Sequence, residues 1–409
     1  MLQTTPLGHA IDGKEAWTAA GGALVIIAFS FGAPWITVVA LKAIAAEAGG
    51  ARSVPAFASA LAWFGSGFGG IVMGQIADRI GVRWTVMFGA LMVAAGLSLS
   101  TLGPGWPLYV GHGLFIGVIG LGGINAPLYV DMSRRFQRRR GSALALISSG
   151  TYVAGALWPP VFERAIAYMG WRHTMLAYAA VVIVVAIPLA VKFLTPSPAP
   201  AASLGAAAAP RAADKVLGWP PNVVFVMCLA AIFMCCIPMA MPQGHLVAFC
   251  SDLGINASHG AAMLSLLLGT AFLSRQMWGL IADRIGGLHT VLIGSAWQAI
   301  TMTGFLLTQD EVGLFTVAAA FGLGFSGLIP ATVLTVRELF PAAQASWRIP
   351  ILLLCSGSGM ATGGWLAGVL YDHFGYYGPA FAAGIGVNLL NLTIIGTLVA
   401  RYHRVSAAA

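Results

Sequence analysis

The chain alternates between long apolar blocks and short polar breaks. Crossing the hydrocarbon of a bilayer takes about 20 helical residues at 1.5 Å each. Blocks of that length fall at 16–41, 54–77, 84–103, 107–132, 141–165 and 172–194, and again at 221–249, 258–282, 288–308, 312–339, 346–371 and 378–401. Twelve transmembrane helices are expected. The stretch between the two sets is rich in Pro and Ala with little periodicity, as flexible linkers are. The expected organisation is therefore a six-helix bundle over 1–194, a cytoplasmic linker over 195–220 and a second six-helix bundle over 221–409.

Composition agrees with an all-α membrane protein. Of 409 residues 58% are hydrophobic and 8% charged, against about 25% charged in soluble domains. Residues 1–15 are short and polar without a signal-peptide pattern, so the first apolar block is expected to remain as a membrane helix. Cys228, Cys235, Cys236, Cys250 and Cys355 lack metal-site spacing and read as small buried hydrophobes. No metal or cofactor is expected. The chain has no Gly-x-x-x-x-Gly-Lys-Ser/Thr stretch for nucleotide-driven work, and no nucleophile, base and orienting group fall together as an enzyme needs.

Basic residues set the orientation, because Lys and Arg are retained on the cytoplasmic side of short loops. With a cytoplasmic N-terminus, only Lys42, Arg52, Arg164 and Arg172 fall outside; Arg275 lies within a span, and the rest of the 21 basic residues fall inside. Both termini are expected in the cytoplasm, and the membrane of a bacterial-type cell would be the inner one. The same asymmetry accounts for the formal charge of +8. The cluster from Arg134 to Arg140 reads as a topology and lipid-headgroup element, with no nucleic-acid partner.

The halves repeat. Gly74-Gln-Ile-Ala-Asp78-Arg79-Ile80-Gly81 recurs 205 positions later as Gly279-Leu-Ile-Ala-Asp283-Arg284-Ile285-Gly286. Weaker echoes pair Met169-Gly170-Trp171 with Phe374-Gly375-Tyr376, and the glycines of 120–123 with those of 324–327. A Gly-x-x-x-Asp-Arg-x-Gly loop after the second helix, repeated after the eighth, resembles the hallmark of the major facilitator superfamily. The resemblance implies the major facilitator fold, with two six-helix bundles rocking in alternating access. It also implies close helix approach at the motif glycines, and a cytoplasmic latch in which Asp78, Arg79, Asp283 and Arg284 cap helix ends and pair across the halves.

Within that superfamily the chain resembles the monocarboxylate transporter branch and its bacterial relatives, which include oxalate/formate antiporters. Asp12-Gly13-Lys14-Glu15-Ala16-Trp17 is similar to the family's Asp-Gly-Gly-x-Gly-Trp opening, with Lys14 replacing the second Gly. Phe136-Gln137-Arg138-Arg139-Arg140-Gly141, followed by Ala143, Ser148, Ser149, Gly150 and Gly155, resembles the arginine-rich loop and glycine-lined fifth helix of these carriers. Arg275 stands where the branch has its anion-binding arginine in the eighth helix.

Arg275 also draws attention without the resemblance. A charge in hydrocarbon costs roughly 2.5–3.5 kcal/mol or more, and Arg275 sits roughly 12 Å inside the boundary marked by Asp283, near the depth at which transporters bind substrate. No acidic residue lies in the middle of any expected helix. A guanidinium holds a carboxylate bidentately and stays protonated. The competing reading is an arginine held by backbone carbonyls or snorkelling toward the cytoplasmic face. Two departures from the branch matter. Ala271 stands where animal monocarboxylate carriers have an Asp used in proton coupling, and 351–367 lacks the second basic residue of oxalate-type exchangers. One arginine suits a monoanion.

Helices one, four, seven and ten line the path in bundles of this type. Asn125 and Gln243 are their polar candidates for substrate contact, Phe31, Trp35 and Phe325 their apolar ones, and Tyr152 in the fifth helix offers a hydroxyl. Aromatic packing or lipid contact competes for each ring. His245, beside Pro242, is a candidate for substrate contact and for a coupled proton; His112 and Asp131 are further proton candidates, with helix packing and pairing to Arg134 or Arg135 as their alternatives. The sequence thus points to a secondary carrier of small organic monocarboxylates, acting as a monomer, with a proton as candidate co-substrate. An organic-anion exchanger, a facilitator-type drug exporter and a non-transporting anion sensor remain open.

Overall fold

The structure is a computed structural model describing residues 12–136, 139–194 and 215–408. Residues 195–214 of the expected linker, with Gln137 and Arg138 of the arginine-rich loop, lie outside the described residues. Two compact units are present, Met1–Ser203 and Leu204–Ala409.

In unit 1 the membrane-length helices are α1 (Lys14–Val39), α2 (Ser53–Ile80), α3 (Val82–Ser100) and α4 (Trp106–Arg135), followed by Gly141–Phe193. That last run is two expected helices in one. Its backbone leaves the helical region at Gly170 (φ 77°, ψ 164°), separating α5 (141–169) from α6 (171–193) without an intervening loop. Unit 2 holds α7 (Pro221–Asp252), α8 (Ala257–Ile285), α9 (Gly287–Leu307), α10 (Glu311–Leu339), α11 (Ala342–Phe374) and α12 (Gly378–Ala408). Asn256 and Asp310 accept from backbone N–H groups of Ser258 and Gly313, so α8 and α10 begin with side-chain caps.

Both motif loops fold alike. Gly81 (φ 91°, ψ 149°) and Gly286 (φ 81°, ψ 161°) each end one helix and open the next in a conformation that side chains resist. The repeat extends to positions the sequence did not flag. Asp12 and Leu217, 205 apart, are the positive-φ non-glycine residues among those described (φ 59° and 53°), each just before the first helix of its unit.

Three path helices are irregular. α1 breaks at Phe31–Gly32, before Pro34, and α10 breaks at Ser326–Gly327. α4 is a π-helix from Gly111 to Leu121, a wide coil rarely sustained for this length. Glycines on both neighbours let it fit. Gly65 and Gly69 of α2, and Gly89 and Gly96 of α3, meet backbone atoms of this segment. A Cβ built on the motif glycines Gly74 or Gly279 meets nothing within 4 Å, so the close helix approach expected there is instead one to three turns away, at Gly65 and Gly69.

At the end of unit 1 where α1 finishes and α6 begins, Arg172 donates to both carboxylate oxygens of Glu47 at 2.7 and 2.6 Å and to the Thr101 carbonyl at 2.9 Å. Those hydrogen bonds hold the Glu47 carboxyl below its ordinary value. Inside unit 2, α7, α9 and α12 share a knot of carboxamides. Asn388 donates to the Ser295 carbonyl and Asn391 to Ser295 Oγ, both at 2.9 Å, while Gln298 donates to the Cys235 carbonyl at 3.3 Å. The five cysteines are free thiols, four buried and Cys355 partly so.

Candidate functional site

Arg275 lies 18 residues into the 29-residue α8 and ten before its end, which is about 15 Å from that end along the axis. Its side chain is half-buried. At 100° per residue, Leu273, Met277 and Leu280 form the opposite face, and these are 65%, 59% and 65% exposed as lipid-facing residues are. Arg275 is therefore turned away from lipid. Beside it the crossing of α8 with α10 is polar and tight: Ser274 Oγ lies 2.8 Å from Ser326 Oγ and donates to the Gly322 carbonyl at 3.2 Å, and Trp278 donates to the Leu323 carbonyl at 2.7 Å. This crossing is where α10 breaks. The first half of α10 ends at Phe325 and the second starts at Leu328, so backbone groups of both half-helix ends meet at this break.

The other expected contacts divide between the units. Arg275, Gln243, His245 and Phe325 belong to unit 2; Asn125, Tyr152, Phe31 and Trp35 belong to unit 1. Phe31 and Trp35 are buried and share Trp63, with ring centroids 6.1 and 6.4 Å away. The Trp35 indole N–H and the Asn125 Oδ1 are buried without a hydrogen-bond partner. Tyr152 is half-buried on α5. Gln243 donates to the Met239 carbonyl one turn earlier at 2.9 Å, and Phe325 is buried against Phe321.

Both histidines are fully engaged in clamps. His245 bonds Tyr377 Oη through Nδ1 at 2.9 Å and the Gly364 carbonyl through Nε2 at 2.8 Å. His112 bonds Thr37 through Nε2 at 2.6 Å and Ser100 through Nδ1 at 3.0 Å, joining α1, α3 and α4. Asp131 is buried and paired with Arg135 at 2.8 Å, its Oδ1 unpartnered. In the motif loop Asp78 pairs at 2.7 Å with Arg134 of its own unit. Arg79, Asp283 and Arg284 are exposed. At the motif loop of unit 2 the contact is of another kind: Glu338 of α10 accepts from the Gly287 N–H at 3.0 Å at the start of α9. Glu338 was not foreseen: an acid in the last turn of α10 carries no capping signal for that helix, and the N–H it accepts from opens a different one.

Residues 23–247 match the family model described as Major Facilitator Superfamily, a span of more than half the chain. The chain belongs to this superfamily. It is a multi-pass membrane transporter and not an enzyme. Among curated relatives of this facilitator, an MFS transporter, asaE, of Aspergillus flavus is 22% identical over 81% of this chain and 76% of its own. Monocarboxylate transporter 13 of Bos taurus is 25% identical over 81% of this chain and 77% of its own, and the agnestins efflux protein AgnL12 of Paecilomyces divaricatus 23% over 79% and 73%. Among solved structures, a peptide transporter POT in complex with sulfate superposes with a TM-score of 0.73 at 16% identity, over 97% of each chain. A bacterial homologue of human Spinster gives 0.66 at 14%, over 95% of this facilitator and 96% of that chain. These likenesses establish the fold.

Proposed function

We propose that this facilitator carries small organic monocarboxylates, with Arg275 as the residue that holds the carboxylate. The observation that carries the reading is a permanently charged guanidinium at mid-depth in α8, on the face away from lipid and beside the broken turn of α10. A guanidinium held away from lipid favours an anion. The similarity to monocarboxylate transporter 13 supports the same substrate class. Carboxylate binding at the guanidinium would couple occupancy to alternating access. The distribution of Lys and Arg supports cytoplasmic termini in an inner membrane.

The test is thermal unfolding of the purified protein with a panel of mono- and dicarboxylates, followed by counterflow in liposomes. A ligand of the native state raises stability by mass action. Monocarboxylates are expected to stabilise the wild type and not Arg275→Gln, and counterflow separates a carrier from a sensor. Stabilisation by neutral compounds equally in both proteins would favour the exporter reading that the fungal relatives suggest.

The reading favours exchange or uniport over proton symport, since Ala271 carries no acid and both ring nitrogens of His112 and His245 are occupied. A proton gradient imposed on liposomes is expected not to drive accumulation. Accumulation that Asp131→Asn abolishes would instead assign a proton to Asp131, whose Oδ1 is vacant.

A further inference from the structure

A second arginine is buried in unit 2, at the end where α7 and α11 begin and α10 finishes. Arg348 is only 2% exposed. Its Cζ stands 4.5 Å from the Phe225 ring, 4.3 Å from Phe340 and 4.6 Å from Trp347. Nη2 donates to Asn222 Oδ1 at 3.0 Å and Gln344 Oε1 at 3.2 Å, while Nε and Nη1 are buried with no acceptor. Both acceptors are neutral. Among the described residues the charge is met by ring faces and amide oxygens, which stabilise a cation but leave its N–H donors unspent.

The matching corner of unit 1 shows what is missing. There the residue after α4, Phe136 (φ −122°, ψ 133°), is edge-on to Trp17 of the first helix. In unit 2 the residue after α10, Phe340 (φ −123°, ψ 143°), is edge-on to Phe225 of α7. The residue before the first helix is Asp12 in unit 1, whose carboxylate accepts from the Arg139 N–H, and Leu217 in unit 2. At this position unit 2 therefore has an apolar residue in place of the acid, and a buried cation stands in the same corner. Residues 215–225 supply no carboxylate to replace it.

We propose that Arg348 is an oxyanion site, taking a phosphate group from an anionic lipid headgroup or from free phosphate. Trp347, 48% exposed, is the part of the cage that can swing aside, and Phe225 and Phe340 stay buried as the floor. The cage lies in the first turns of α7 and α11, at the depth where headgroups and aqueous anions both reach a membrane helix. Unlike the carboxylate site proposed at Arg275, it requires no transport, and it stands if that reading fails.

Thermal unfolding of the full chain tests it, with inorganic phosphate titrated against chloride at constant ionic strength in neutral detergent. A parallel series uses phosphatidylcholine nanodiscs with and without phosphatidylglycerol. Wild type and Arg275→Gln are expected to gain several degrees and Arg348→Gln none. A response to phosphate assigns an aqueous oxyanion; a response confined to phosphatidylglycerol assigns a headgroup. Asn222→Asp keeps the shape of the acceptor and adds the missing charge, so it is expected to melt higher than wild type without anion and to lose the anion response. No shift in wild type, an equal shift in Arg348→Gln, or an undiminished shift in Asn222→Asp overturns the assignment.

Discussion

Replacing Gly69 with alanine is expected to leave little folded protein. α2 crosses the π-helical segment of α4 with backbone against backbone, and a Cβ on Gly69 overlaps the carbonyl, C and Cα of Val118. None of those atoms belongs to a side chain that could rotate away. The opposing Gly122 is also tight, since its own Cβ would strike the backbone of Gly69 and Gly70. Overpacking a core ordinarily costs about 1–3 kcal/mol; here the only relief is separation of two membrane helices, so the loss should exceed that range. Size-exclusion recovery and melting temperature check it, with Gly74→Ala as control. The control adds the same methyl one turn and a residue later on the same helix, into open space, and should behave as wild type. A Gly69→Ala protein recovered and melting like the control would mean that α4 adopts ordinary α-helical turns there.

His245→Ala and His112→Ala are expected to be unstable proteins whose folded fraction still transports. A carbonyl only accepts, so Gly364 fixes a His245 proton on Nε2, and Nδ1 pairs with the Tyr377 hydroxyl. Ser100 already donates to the Gly96 carbonyl, so it accepts from His112 Nδ1–H, and Nε2 pairs with the Thr37 hydroxyl. Both nitrogens of each imidazole are therefore engaged. Truncation leaves a buried hydroxyl unpaired, at about 1–3 kcal/mol, and opens a cavity besides. Tyr377→Phe removes one hydrogen bond of the same clamp and should cost about 1 kcal/mol. Melting temperature and transport per folded molecule, measured together, decide the matter. Unchanged melting with transport abolished would make either histidine part of the transport cycle.

The twelve spans were legible because hydropathy and helix length are properties of a segment by itself. The motif loops were legible for a similar reason: glycine at Gly81 and Gly286 permits the backbone that ends one helix and starts the next. Arg275 stood out as an exception to its surroundings. What stayed hidden depends on neighbours. The π-helix of α4 has the hydropathy of any apolar helix, and only the facing glycines of α2 and α3 distinguish it. Gln298, Asn388 and Asn391 look like isolated polar residues until α9 is known to lie against α12. Arg348 was counted by topology as a cytoplasmic charge, because its burial comes from Phe225, more than 100 residues earlier, and from Phe340, just after α10. The motif glycines were expected to do the packing that glycines one to three turns away perform. The latch partner of Asp78 is Arg134, from α4 of the same unit, which no pairing rule across the repeat would name.

The burial of the thiols has a practical consequence for watching this transporter move. Buried cysteines react slowly with alkylating reagents, and four of the five are shielded by helix packing while Cys355 is partly so. Spectroscopic labels could therefore be introduced at exposed positions such as Tyr168 in unit 1 and Val312 in unit 2 with, at most, Cys355 replaced. Distances between paired probes would then report the opening and closing of the native protein, free of the core substitutions that a cysteine-less background demands.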